Sequence, residues 1–151
     1  MRGIMKYINR ISRSSGIVYN AQLKHYGVNH CQHPYILLIC SHPGISQEEL
    51  ARAICVHKSN VTRQLAALES AGYLTRRQSP DDKRVLQVYP TEKMQQLLPQ
   101  VRSVMQTWNA CILDSLTDEE REQLAALLEK AAQKATQAAQ EILHGSGEGK
   151  G

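Results

Sequence analysis

Charged residues of opposite sign meet in the segment QSPDDKRVLQVYP, residues 78–90. Two acids, Asp81 and Asp82, lie near its centre. The basic residues on either side of them are Arg76, Arg77, Lys83 and Arg84. Arginine and lysine bind phosphate and other anions through charge-assisted hydrogen bonds, and a neighbouring carboxylate opposes that binding. The segment is therefore either a solvated turn or a tip that reaches toward an anion, and the elements around it must decide.

A second group of residues has the donor atoms that transition metals prefer. His30, Cys31 and His33 lie in the segment NHCQHP, and His42 follows them. Imidazole and thiolate are common zinc ligands, so these four side chains are candidate metal ligands. A polar loop is the alternative interpretation of the same residues.

The composition is that of an ordinary soluble protein of 151 residues, with 42% hydrophobic and 21% charged residues. One domain with its own core is expected at this length. We find neither an apolar run that could span a bilayer nor a secretory signal, so the expected location is the cytoplasm, with no membrane partner. The cysteines form no Cys-x-x-Cys pair and are expected to be free thiols: Cys31, Cys40, Cys55 and Cys111.

The positive charge is concentrated in the middle of the chain. Residues 52–84 contain seven Lys or Arg and three Asp or Glu, an excess that equals the net charge of +4 for the whole chain. Beginning the window at Ser46 adds Glu48 and Glu49 and halves that excess. The bias indicates an anionic partner for the central segment.

The first half of the chain is predicted to be helical. Residues 4–26 have apolar side chains at helical spacing and end at Gly27, a plausible terminator. The apolar segment YILLICSH, residues 35–42, is interpreted as a short buried helix. Ser46 and Glu49 have the spacing of a capping box, which predicts the start of a short third helix.

A fourth helix and a β-hairpin follow. The helix is predicted over 57–71 and ends at Gly72. Its buried stripe consists of Val61, Leu65 and Leu68. Residues 73–77 and 85–89 are typical of strands, the SPDD between them is typical of a turn, and Pro90 ends the second strand.

Two more helices complete the predicted order. Thr91 can cap the fifth, which has a broad apolar face between Met94 and Ile112 and is expected to bend or weaken at Pro99. Thr117 and Glu120 form a second capping box at the start of the sixth.

A short helix, a tight turn, a second helix and a hairpin make a winged helix-turn-helix. In that motif the second helix fits the DNA major groove and presents its N-terminal side chains to base edges. The predicted base-reading residues are Ser59, Asn60 and Arg63. Side chains that suit phosphate contacts are Lys58 and Thr62, together with the hairpin residues Arg76, Arg77 and Lys83. The sequence therefore predicts binding to double-stranded DNA.

The segment SQEELARAICVHKSNVTRQLAALESAGYLTRRQSPDDKRVLQVYPTEK, residues 46–93, resembles the MarR family of bacterial transcription regulators. Its most specific piece is Asp82-Lys83-Arg84 followed by YPTEK, which is similar to the wing of that family. The resemblance implies that Arg84 enters the minor groove and that Asp82 holds its side chain in position. Minor grooves rich in A·T attract an inserted arginine, so the acids at the hairpin tip are compatible with anion binding.

The resemblance also implies a two-fold dimer that reads a pseudo-palindromic operator, with half-sites about 34 Å apart. The expected fold is mainly α with a small β-hairpin wing, a winged helix-turn-helix flanked by N- and C-terminal dimerisation helices. We expect one domain over residues 1–144, with a DNA-reading module at about 34–90 and dimerisation helices at about 4–26 and 91–143. Burial of the same apolar stripes within one chain is the alternative. A flexible tail is expected at 145–151.

Relatives of this kind often release DNA when a small effector binds between the dimer helices and the DNA-reading module. The candidate liners of such a pocket are Tyr19, His33, Tyr35, Leu38, His42, Met105 and Trp108. No cofactor is required, and repression is the more common outcome in the family. A metal sensor using His30, Cys31, His33 and His42, or a thiol sensor, remains an alternative.

Two contrasting hypotheses complete the prediction. An enzyme is not expected, because we find no Gly-rich phosphate loop, nucleophile elbow or suitably placed pair of carboxylates. A winged-helix module that binds protein instead of DNA is the remaining alternative, and loss of the Arg84 side chain would leave such docking mostly intact.

Overall fold

The computed structural model describes the backbone of residues 3–145 and the side chains up to residue 143. The helices of this part are α1 (Ile4–Leu23), α2 (His33–Ser41), α3 (Gln47–Ile54), α4 (Lys58–Ser70), α5 (Glu92–Ile112) and α6 (Asp118–Gly145). The strands are β1 (Ile45–Ser46), β2 (Leu74–Gln78) and β3 (Leu86–Pro90). The prediction of a mainly α fold with a small β wing is confirmed.

The first helix ends, and the second helix begins, close to the predicted positions. Helix α1 stops at Leu23, and a short 3₁₀ turn, Lys24–Tyr26, carries the chain to Gly27. Gly27 has φ 70°, a conformation that glycine adopts without steric cost. Helix α2 is short and apolar, as predicted, and it buries Tyr35, Ile36 and Ile39.

The sheet has one more strand than the sequence predicted. The β2–β3 hairpin has the expected antiparallel pairing, with Arg76 opposite Val88. The additional strand β1 pairs with the other edge of β3, giving the order β1-β3-β2. Because β1 contains only Ile45 and Ser46, its sequence is too short to show alternation. This strand ties the start of α3 to the base of the wing.

Helix α5 begins at the predicted cap and continues through Pro99. The backbone N–H of Met94 donates to Thr91 Oγ1 at 3.3 Å, and the same hydroxyl donates to the carbonyl of Tyr73 at 2.9 Å. Thr91 therefore joins the end of α4 to the start of α5. The first half of α5 buries Met94, Leu97 and Val101 in the hydrophobic core. These side chains are consequently not available to a dimer interface.

The chain divides into two compact units, Met1–Asn109 and Ala110–Gly151, and the single domain over 1–144 stays a prediction. All the buried hydrophobic residues of the described chain lie between Tyr19 and Val101, which explains why the core belongs to the first unit. In the second unit, the Thr117–Glu120 capping box forms as predicted, with hydrogen bonds of 2.9 and 3.2 Å. Of the predicted tail, Gly145 ends α6 and 146–151 lie outside the described residues.

Candidate nucleic-acid interface

A tight turn connects α3 to α4 and sets the position of the second helix. Ser46 and Glu49 cap α3 reciprocally, with hydrogen bonds of 3.1 and 2.8 Å between side chain and backbone. Helix α3 ends at Cys55, whose φ of 60° is the only positive value among the non-glycine residues that the structure describes. The backbone N–H of Val56 then donates to the carbonyl of Ala51 at 3.1 Å. Two helices are thereby joined with only three residues between them.

Helix α4 has one buried and one exposed face. Val61, Leu65 and Leu68 are at most 1% exposed, which confirms the predicted stripe. The residues that project to the other side and are exposed are Lys58, Ser59, Thr62 and Arg63. Arg63 makes no hydrogen bond or salt bridge to any residue in the described part of the chain, so its guanidinium keeps all its donors.

Lys58, the first residue of α4, pairs with Glu48 of α3 at 3.2 Å. Their side chains are 78% and 65% exposed. An ion pair this exposed contributes little to stability, so Lys58 can exchange the carboxylate for a phosphate at small cost. The Thr62 hydroxyl donates to the carbonyl of Lys58 at 3.1 Å and keeps its acceptor lone pairs outward.

Asn60 differs from its neighbours because its side chain is held from inside the protein. The hydroxyl of Tyr35, on α2, donates to Asn60 Oδ1 at 2.9 Å. Tyr35 is 1% exposed, and this burial raises its pKa, as does nearby Cys31, while Arg63 lowers it. The sequence places these two residues 25 positions apart, and no local pattern indicates that they meet.

An exposed arginine lies at the tip of the wing. Asp82 Oδ1 accepts from the backbone N–H and from Nε of Arg84 at 3.0 and 3.1 Å, and Oδ2 accepts from Nη2 at 3.2 Å. The Arg84 side chain is nevertheless 91% exposed. These hydrogen bonds hold the pKa of Asp82 below its usual range, so the carboxylate is charged at neutral pH. The Arg84 guanidinium is therefore exposed to solvent while Asp82 fixes its direction.

The two arginines of β2 have different surroundings. Arg76 is an internal tie, because its guanidinium donates to both carboxylate oxygens of Glu69 at 3.2 and 3.0 Å and to Gln47 at 3.4 Å. Its side chain is 22% exposed, and its hydrogen bonds hold the pKa of Glu69 below its usual range. Arg77 is exposed and lies 4.8 Å from the ring centre of Tyr89. Of the predicted phosphate contacts in the hairpin, Arg77 and Lys83 lie on the open surface and Arg76 does not.

An open cleft joins the wing to the start of the second helix. Its lining comes from α3, α4 and the wing: Ser46, Gln47, Glu48, Lys58, Thr62, Arg84, Val85 and Leu86. The predicted phosphate contacts of α4 and the predicted minor-groove arginine therefore share one surface. Strand β1 explains this geometry, because it pins the capped start of α3 to β3.

Comparison with known proteins identifies the family. A model described as MarR family matches residues 28–86, from the loop before α2 to the first residue of β3. The HTH-type transcriptional regulator BilQ of Clostridium symbiosum is 32% identical over 96 residues, which cover 64% of this chain and 67% of that protein. This chain belongs to the MarR family. The HTH-type transcriptional regulator YybA of Bacillus subtilis is 29% identical over 130 residues, covering 86% of this chain and 87% of that one.

Solved structures agree with this assignment. A MarR family transcriptional regulator from Listeria monocytogenes, complexed with 26mer DNA, superposes with a TM-score of 0.90 at 27% identity. The match covers 96% of this chain and 97% of that one. As a MarR-family member, the chain is a DNA-binding transcriptional regulator with a winged helix-turn-helix, and the expectation that it is not an enzyme is confirmed. None of the helices in its described part is long and apolar enough to cross a bilayer.

The four predicted metal ligands of this MarR-family chain do not form one cluster. His33 begins α2 and His42 follows its last residue, so about nine residues of helix, roughly 13 Å, separate them. His33 Nδ1 lies 2.6 Å from the carbonyl of His30, and His42 Nδ1 lies 2.9 Å from the Ser41 hydroxyl. No group of three or more His, Cys, Asp or Glu within the described residues could hold a metal ion. The four-ligand prediction is corrected accordingly.

The predicted pocket residues divide between core and surface. Tyr19 and Tyr35 belong to the buried core, and the rings of Tyr19 and His33 meet edge to face at 4.9 Å. Burial lowers the pKa of His33. The residues that pack against the core while partly exposed are Leu38, Met105 and Trp108. The Trp108 indole N–H donates to Ser15 on α1 at 2.7 Å. His42 is exposed and directly follows the last residue of α2.

Proposed function

We propose that this MarR-family regulator binds a pseudo-palindromic operator as a homodimer and represses transcription until an effector releases it. One observation carries the proposal. Arg84, supported by Asp82, shares a surface with Lys58 and Thr62 at the exposed start of α4. A helix start can enter the major groove while an exposed arginine enters the adjacent minor groove.

In this proposal the exposed residues of α4 and the wing have separate roles. Ser59, Asn60 and Arg63 contact base edges: Ser59 and Arg63 are exposed on the side away from the buried stripe of α4, and Asn60 is half-buried beside that stripe. Arg84 enters the minor groove. Phosphate contacts come from Lys58, Thr62, Arg77 and Lys83, which position the protein without reading the sequence. The Listeria relative complexed with 26mer DNA supports DNA as the partner of this surface.

A homodimer is proposed because one protomer would read only half of a two-fold operator. The first and last helices, α1 and α6, both have large exposed apolar side chains. On α1 they are Ile4, Met5, Tyr7, Ile11 and Ile17, and on α6 they include Leu124, Leu127 and Leu128. Burial of apolar surface at about 25 cal/mol per Å² favours covering them with a second copy. The cytoplasm is the proposed location, since that is where the operator lies.

The experiment that tests this proposal is fluorescence anisotropy of the full chain against duplex DNA from its own upstream region. A scrambled duplex of the same length is the control, and both are titrated across a salt series. We expect tight, steeply salt-dependent binding to the first duplex and much weaker binding to the second. The Arg84→Ala variant should lose most of this affinity. Equal binding to both duplexes, or none at low salt, would instead favour the protein-interaction module.

A thiol-responsive effector mode is a second candidate, favoured by three side chains in the loop before α2. Asn20 Oδ1 accepts from the backbone N–H of His30 at 2.8 Å and lies 3.2 Å from His30 Nδ1. Since that oxygen can only accept, Nδ1 carries the imidazole proton and Nε2 is the bare nitrogen. Nε2 lies 3.4 Å from Sγ of Cys31, which is exposed. The imidazole is thus placed to take the thiol proton.

An electrophile of the α,β-unsaturated carbonyl class would suit this thiol. Sulfur adds to the β-carbon, and the thiol proton passes through His30 to the α-carbon, so no oxidant is needed. Alkylation followed by peptide mass spectrometry tests the idea, with the exposed Cys55 and Cys111 as internal controls. We expect Cys31 to react fastest, His30→Gln to remove that advantage, and the adduct to lower operator affinity. Equal rates at the three cysteines would leave the small-molecule pocket as the favoured mode.

A further inference from the structure

We propose that Tyr35 determines base specificity by fixing the side chain of Asn60, so that the amide turns its oxygen toward the protein and presents its hydrogen-bond donors to the DNA. The inference rests on the proposed function, since it requires the start of α4 to lie in the major groove. Tyr35 is a positioning residue, because it acts through Asn60 and stays inside the protein.

The orientation of the Asn60 amide follows from the burial of its partner. Tyr35 is 1% exposed, and burial keeps its hydroxyl protonated at neutral pH. A buried hydroxyl needs an acceptor for its proton, and Asn60 is the only hydrogen-bond partner of this hydroxyl among the described residues. The amide must therefore turn its oxygen toward Tyr35, because its nitrogen has only protons to offer. The amide nitrogen then points away from that partner.

This orientation limits which base edges Asn60 can read. An asparagine that pairs bidentately with adenine uses its oxygen for the N6 amino group and its nitrogen for N7. Here the oxygen accepts the Tyr35 proton with one of its two lone pairs and is held turned toward that buried residue. The free N–H donors best suit edges that present only acceptors, namely guanine N7 and O6 or thymine O4. We therefore expect this protein to prefer an acceptor edge at the base that Asn60 contacts, and to reject cytosine, whose edge presents a donor.

Selection from an operator library randomised at each base pair, read by sequencing, tests this inference. The proteins compared are the wild type, Tyr35→Phe, Asn60→Ala and the double variant. Tyr73→Phe is the matched control: Tyr73 is also buried, at 3% exposure, but its hydroxyl donates to the backbone carbonyl of Tyr26 and not to a side chain of α4. Thermal unfolding of each variant separates loss of stability from change of preference.

We expect Tyr35→Phe to reduce the preference at one base pair about tenfold, which is the discrimination that a good base contact supplies. Asn60→Ala should remove the preference at the same base pair, and adding Tyr35→Phe to it should change nothing further. Tyr73→Phe should lower stability and leave every preference intact. A uniform loss of affinity in Tyr35→Phe, or a loss that adds to that of Asn60→Ala, would overturn the inference alone. A wild type with no sequence preference would overturn both the inference and the proposed function.

Discussion

Replacement of Asp82 by alanine should weaken operator binding, although it removes a negative charge from a surface that faces DNA. Three hydrogen bonds from Arg84 to Asp82 fix the direction of a side chain that is 91% exposed. Within the described residues, nothing else holds the Arg84 guanidinium. The Asp82→Ala protein must therefore order this arginine when it binds.

The size of the effect follows from two opposing contributions. Immobilising a free arginine side chain costs rotamer entropy equivalent to about a tenfold loss of affinity or more. Removing one negative charge at about 10 Å from a phosphate improves affinity by less than about twofold, because water and salt screen the interaction. The entropy term is the larger, so the expected net result is roughly fivefold weaker binding.

Asp81 offers a matched control for this experiment. It lies beside Asp82 and has the same charge, but its carboxylate makes no hydrogen bond or salt bridge to the described residues. Asp81→Ala should therefore tighten binding slightly, while Asp82→Ala weakens it, in anisotropy titrations at the same salt concentration. If both variants bind more tightly, Asp82 is only repulsive and the supporting role that we assign to it is wrong.

Three further predictions concern the same module. Arg63→Ala should cost about 1–3 kcal/mol of operator binding and relax the base preference, whereas equal losses on all sequences would mean that Arg63 contacts only phosphate. Arg77→Ala should reduce the slope of log affinity against log salt by about 1. Arg76→Ala should leave that slope unchanged and lower the free energy of unfolding by about 1 kcal/mol. A reduced salt slope in Arg76→Ala with an unchanged slope in Arg77→Ala would contradict the internal role of Arg76. Hydrogen bonds from Ser46, first from its backbone N–H, hold the pKa of Glu49 below its usual range. The stability that this carboxylate contributes is therefore present above the ordinary glutamate pKa of about 4.3 and is lost as pH falls through the lowered pKa. In urea unfolding, Glu49→Gln should lose less stability than the wild type over that acid range. If both proteins lose the same amount, the Glu49 cap does not cause the acid sensitivity.

Features that depend on neighbouring residues could be predicted from the sequence. The capping boxes at Ser46 and Thr117 each use a partner three residues away, and both form. The buried stripe of α4 repeats at helical spacing, and the hairpin has a turn sequence between two strand sequences. Each of these patterns contains its own physical cause within a few residues, so a single sequence is sufficient to find it.

Features that depend on distant residues could not be predicted in this way. Cys55 adopts a left-handed conformation that usually favours glycine, at the point where α3 ends and the chain turns toward α4. The partner of Asn60 lies 25 residues before it, on another helix. The family resemblance made Tyr35 a candidate liner of an effector pocket, and only the fold shows that its hydroxyl reaches α4.

The adjacent arginines of β2 show why counting charges overestimates a DNA-binding surface. Successive side chains of a strand point to opposite faces of the sheet, so Arg76 and Arg77 cannot both face outward. The inward position belongs to Arg76, where Glu69 and Gln47 tie the wing to α4 and α3. A basic side chain used in this way contributes nothing directly to phosphate binding, but it fixes the distance between the wing and the DNA-reading helix. In the proposed binding mode, in which the module contacts two grooves at once, that fixed distance favours binding, because a mobile wing would have to be ordered at every encounter with DNA.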